Sequence, residues 1–158
     1  MNQEVGSIMG YFYQIFPCKV YTKEVPTSIE TPSMYFPAAN DFDGSDTTTT
    51  FKTTYSLSVK LFHKDAVQAK DAAELISNTV RRKRYLIPLL NADGSVTGDY
   101  IRINRIDTRV TDGVANIIVT WDSRYFYDRE KANELKDFFL SVKEGHGSGK
   151  TTNKYEQR

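Results

Sequence analysis

From Phe51 to Leu61 the chain alternates with a two-residue period. Phe51, Thr53, Tyr55, Leu57, Val59 and Leu61 interleave with Lys52, Thr54, Ser56, Ser58 and Lys60. Successive strand side chains point to opposite faces, so this stretch predicts a strand with one dry and one wet face. The period changes at both ends of the chain. Val5, Ile8, Met9, Phe12, Ile15 and Phe16 recur at steps of three and four, predicting a helix over 2–16 that Pro17 ends. Gly6 and Gly10 weaken that helix by roughly 1 kcal/mol each relative to Ala, so it depends on docking. A second helix is expected over 64–84, with Ala69, Ala72, Ala73, Ile76 and Val80 as a narrow apolar stripe. Asp65 and Gln68 resemble a capping box at its start. Ala132, Leu135, Phe138, Phe139 and Val142 mark a third helix, with Asp128 as its N-cap and Gly145 at a C-terminal cap position.

Between these lie shorter signals. Residues 18–37 are rich in Val, Ile, Tyr and Thr but cut by Pro26 and Pro32, predicting two short strands near an edge. Tyr85–Leu90 reads as a short strand in which Pro88 demands an edge or a bulge, and Asp93-Gly94 supplies hairpin chemistry. Ile101 and Ile103 alternate in one phase, Ile106, Thr108 and Val110 in the other, so a bulge is expected near Asn104-Arg105. Thr111-Asp112-Gly113 turns the chain into a last strand, on which Ile117, Val119, Trp121, Ser123, Tyr125 and Tyr127 share one face. Helices covering one face of a mostly antiparallel sheet would bury all these stripes together. The expectation is a single α+β domain over 1–144 and a flexible tail over 145–158.

Length and composition narrow the classes. A chain of 158 residues can bury roughly 70% of its unfolded surface in one core. Its net charge of +1 gives no bulk attraction to nucleic acid or membrane. A single cysteine, Cys18, excludes an internal disulfide and a thiolate metal site, and suits a reducing compartment. No apolar run approaches a membrane span, and no basic region ahead of an apolar stretch marks a signal peptide. Ten Tyr and nine Phe exceed what one core requires and favour strands and interfaces.

The candidate chemistry thins on inspection. "GHGSGKTT", residues 145–152, imitates the end of a phosphate loop, but the first Gly of that pattern should stand at 144, which is Glu144. A helix precedes it where a strand is needed, and only the short, polar stretch Asn153–Arg158 follows. It reads as tail. His63 and His146 have no second ligand or triad context. Ala38–Thr50 has the composition of a mobile loop, carrying Asp41, Asp43 and Asp46 around a lone Phe42. Counted as a calcium loop from Asp41, Gly44 falls fourth and no Glu closes it, leaving an acidic loop with at most weak hard-cation affinity. Arg81, Arg82, Lys83 and Arg84 form the one basic run; at a helix C-terminus it complements the macrodipole, or it contacts acidic protein or a phosphate backbone. No catalytic, cofactor-binding or metal-ligating set emerges.

The element order, with "FPCKVYTKEVPTSIETPSMYFP", "TTYSLSVKLFHKD", "VRRKRYLIPLLN" and "VANIIVTWDSRYFYDREKANELKDFFLSV", resembles the tail terminator proteins of long-tailed bacteriophages over residues 2–144. The resemblance implies a small α/β protein of the virion tail that assembles as a hexameric ring on the tail tube. Such a ring stops tube growth and joins the head connector, with no cofactor or reaction. Tube protein, connector and further copies of the chain would be the partners. Asp41, Phe42, Asp43, Asp46, Arg81, Arg82, Lys83 and Arg84 are then the interface candidates. Other readings are a different neck or head-closure component, or a nucleic-acid-binding module built on Arg81–Arg84.

Overall fold

The computed structural model describes residues 2–129. The predicted third helix, the Gly145 cap, His146 and the Gly/Lys tail lie outside them. Met1–Tyr127 forms one compact unit. Its elements run α1 (Gln3–Ile15), β1 (Lys19–Tyr21), β2 (Ser33–Tyr35), β3 (Asn40–Ser45), β4 (Thr50–Phe62), α2 (Ala66–Arg82), β5 (Leu86–Leu90), β6 (Val96–Thr111) and β7 (Val114–Phe126).

The seven strands form one sheet in the order β1-β2-β4-β7-β6-β5, with β3 added beside β4. Every pairing is antiparallel except β1 with β2. The alternation read from 51–61 is the register of the centre: Leu57, Val59 and Leu61 lie opposite Val119, Ile117 and Ala115, and all six are buried. Both helices cover this face. Ser77 on α2 shares a 3.0 Å hydrogen bond with Thr108, which pairs with Ile117, and Glu4 on α1 reaches Trp121.

Local chemistry explains the joints. Asn2 and Asp65 are N-caps, their side chains accepting from Glu4 N–H at 3.0 Å and Gln68 N–H at 2.8 Å. Gly10 faces Leu90 on β5, whose side chain would stand 3.4 Å from a Cβ there, an ordinary packing distance. The expected bulge falls between Ile103 and Arg105, and another between Pro88 and Leu90. Asp112 (φ 48°) and Gly113 (φ 78°) make a two-residue turn of the primed kind that matches strand twist.

One expectation is corrected. Asn40–Ser45 is a strand, paired residue for residue from Asn40↔Ser56 to Ser45↔Phe51. Its Asp, Gly and Ser disfavour strands intrinsically, but β4 offers a ready edge and hydroxyl side chains that hold the aspartates.

Candidate assembly surface

The N-terminal half of β4 and the C-terminal end of β7 extend beyond the helix-covered core. β6 pairs with β7 only as far as Ile103↔Trp121, because the bulge there turns β6 toward β5. From Asp122 to Phe126, β7 pairs with β4 alone among the described residues. With β3 on the other side of β4, the result is a three-stranded arm of residues 40–45, 50–56 and 121–126.

On the helix-side face of the arm, aromatic rings continue outward from the core. Tyr55 stacks on buried Trp121 (centroids 5.3 Å apart, 19° between planes), and Phe51 lies 5.3 Å from Tyr125 and 5.4 Å from Tyr127. The Tyr55 and Tyr125 hydroxyls share a 3.2 Å hydrogen bond; that bond, with burial behind it, holds the Tyr55 phenol well above its usual range. Glu4 anchors the base of the arm. Its Oε2 accepts from Trp121 Nε1–H at 2.8 Å and its Oε1 from Ser123 Oγ–H at 2.5 Å. On the opposite face, Asp122 accepts from Thr54 at 2.7 Å and pairs with Lys52 at 3.4 Å. Burial acts to raise the Asp122 carboxyl, but the Thr54 and Asn104 hydrogen bonds and the Lys52 charge hold it below the usual carboxylate range.

The acidic candidates all lie along this arm. Asp41 and Asp43 project to the aromatic face, opposite Tyr55 and Thr53. Thr53 Oγ1 donates to Asp43 at 3.1 Å, while Asp46 accepts from Thr50 at 2.9 Å and from Arg124 Nε at 2.9 Å. Phe42 occupies the other face, 55% exposed. Among the described residues no group of three or more His, Cys, Asp or Glu is arranged to hold a metal ion.

The basic candidates lie elsewhere. Arg81 is exposed and donates to Asn78 Oδ1 at 3.0 Å and to Ile106 O at 3.4 Å. Lys83 caps α2, and the bonds Tyr85 N–H to Val80 O and Arg84 N–H to Arg81 O close a Schellman turn. Arg84 therefore holds the left-handed position (φ 58°) where Gly is usual, at a cost of about 1–2 kcal/mol. Arg82, Lys83 and Arg84 are exposed. The fold does not gather them with the aspartates, because β3 borders β4 while the end of α2 abuts β6.

Two features were not legible beforehand. The Glu4–Trp121–Ser123 network joins residues more than a hundred positions apart, and no local pattern announces it. A cleft of about 560 Å³, lined by Val5, Phe36, Pro37, Ala39 and Tyr55 among others, opens beside the arm. His63 closes a junction: its Nδ1 accepts from Lys64 N–H at 2.9 Å and its ring lies 6.3 Å from Phe16.

Known proteins are similar to this chain in sequence. It is 49% identical over 138 residues to the uncharacterized protein YqbJ of Bacillus subtilis (strain 168), covering 87% of this chain and 95% of that protein. It is 45% identical over 142 residues to the phage-like element PBSX protein XkdJ of the same strain, covering 89% and 97%. A solved chain from the virion of a native gene transfer agent particle aligns with TM-score 0.46 and 15% identity, over 78% of this chain and 94% of that one. The model of the phage tail terminator protein family matches residues 6–135, from within α1 through α2 and all seven strands. The chain belongs to the phage tail terminator protein family.

Proposed function

We propose that this structural protein of the phage tail works as a ring, of six copies, that caps the tail tube. The ring ends tube elongation and presents its far side to the head connector. The family match over residues 6–135 carries this reading. The surface supports it: Phe42, Tyr125, Phe126 and Tyr127 are exposed along an arm bordered by carboxylates, and grouped exposed rings mark interaction surfaces. The chain catalyses no reaction in this reading; it works through shaped surfaces. Asp41, Phe42, Asp43 and Asp46 contact neighbouring copies or the tube, and Arg81, Arg82, Lys83 and Arg84 serve a second contact.

The test is direct. Purified full chain is weighed across concentrations and imaged by negative stain, then added to polymerising tube protein. Six-membered annuli, and tubes whose growth stops when the protein is added, are expected. A protein that stays monomeric even on tube ends, leaving tube length unchanged, overturns the proposal.

A further inference from the structure

The sheet protects some of its edges and leaves others bare. β1 has only three residues, between Pro17 and Pro26, and β5 carries Pro88 and a bulge. Both devices discourage a foreign strand from pairing there. The arm has neither. Among the described residues, β3 from Asn40 to Ser45 and β7 from Ser123 to Phe126 each lack a partner on the side away from β4, and neither contains Pro.

The direction of their backbone groups follows from the ladder. Tyr127 N–H donates to Thr49 O at 3.0 Å and His63 N–H to Gly113 O at 2.9 Å, so odd-numbered residues of β4 bond toward β7 and even-numbered ones toward β3. Asp122 N–H still faces Arg102 O across the Ile103↔Trp121 pair, so the free groups are those of Asp41, Asp43 and Ser45 on one edge, and of Arg124 and Phe126 on the other.

We infer that these two edges join: β7 of one copy pairs with β3 of the next, continuing the sheet from subunit to subunit. This rests on the ring reading and names its seam. β3 and β7 both run antiparallel to β4, hence parallel to each other. A rotation that repeats the arm side by side keeps those directions, so the seam is a parallel ladder. The side chains favour a second copy as the partner. On the aromatic face, the hydroxyls of Tyr125 and Tyr127 meet the carboxylates of Asp41 and Asp43 in the neighbour. On the other face, the exposed rings of Phe126 (76%) and Phe42 (55%) lie on the same side of the joined sheet. Pairing β3 with another β3 would instead set Asp41 and Asp43 against like charges, which disfavours a two-fold dimer.

The test uses full-length chain carrying Cys18→Ser. Phe42→Cys in one preparation is mixed in turn with Asp122→Cys, Arg124→Cys or Phe126→Cys in another, and assembled mixtures are oxidised. Disulfide dimers containing one chain of each kind are expected for at least one mixture, and none from either preparation alone. In parallel, Arg124→Pro removes an outward-facing N–H without touching the β4 ladder. It should raise the concentration needed for assembly at least ~10-fold, whereas Arg124→Ala should not. Rings that form but never cross-link in any mixture, or that assemble equally well with Arg124→Pro, overturn the seam and leave the ring intact. Cross-links from Phe42→Cys alone overturn it in favour of a two-fold contact. Absence of any assembly overturns seam and ring together.

Discussion

Removing the Glu4 carboxylate should cost far more than its place on the first turn of a helix suggests. Trp121 is fully buried, and its indole N–H donates to Glu4 Oε2 at 2.8 Å, its one side-chain partner among the described residues; Ser123 donates to the other oxygen. Bonds to a charged acceptor contribute about 1.5–3 kcal/mol each, and a buried donor left unpaired costs about 1–3 kcal/mol. Ser123 can turn to water once freed, whereas the indole N–H cannot. Loss of the carboxylate from the positive end of α1 adds about 0.3–1 kcal/mol. Glu4→Ala should therefore destabilise by about 2–4 kcal/mol, and Glu4→Gln, which still offers Trp121 an acceptor, by about half of that. Trp121 is the only tryptophan, so urea unfolding followed by its emission reads the site directly. At about 2–4 °C per kcal/mol for a chain near this size, the melting temperature should fall by roughly 5–15 °C. A double-mutant cycle with Trp121→Phe, followed by circular dichroism, should give a coupling of about 1–2 kcal/mol. A loss below about 0.5 kcal/mol for Glu4→Ala, or a coupling indistinguishable from zero, would show that α1 is held by its apolar face alone.

Two further outcomes follow from local geometry. Gly113→Ala sets a side chain at φ +78° and 3.1 Å from His63 O, backbone that cannot easily yield; the urea midpoint should fall by the equivalent of about 1–3 kcal/mol, and an unchanged midpoint would refute the turn assignment. Burial pushes the Cys18 thiol up to about 11 against a Met34 backbone hydrogen bond that lowers it, so near pH 8 it is held as the neutral, unreactive thiol. Iodoacetamide should modify the folded chain at least ~10-fold more slowly than the urea-unfolded chain, with the gap closing as pH approaches 11. Equal rates at pH 8 would contradict the burial.

The outcome at Ala38–Thr50 shows where linear reading stops. Its composition is that of a loop, and composition measures what a segment does when solvated alone. Asn40–Ser45 becomes a strand because β4 presents an unfilled edge, with Thr53 and Thr50 placed to hold Asp43 and Asp46. The basic run separates in the same way. Arg81 bonds to Asn78 and to Ile106 O on β6, although all four residues of the run stay exposed.

Periodicity, caps and turn chemistry sufficed wherever the deciding forces act between near neighbours. The α1 and α2 stripes, the Asp65 cap, the bulge beside Arg105 and the Asp112-Gly113 turn could be placed from the residues alone, since each depends on contacts within a few positions. What no linear pattern carries is which distant segments meet. Glu4 finds Trp121, β3 finds β4, and β7 outruns β6 by five residues to leave an arm with two bare edges. Those pairings are chosen by the shared burial of a whole core, a quantity that exists only once the chain has closed on itself.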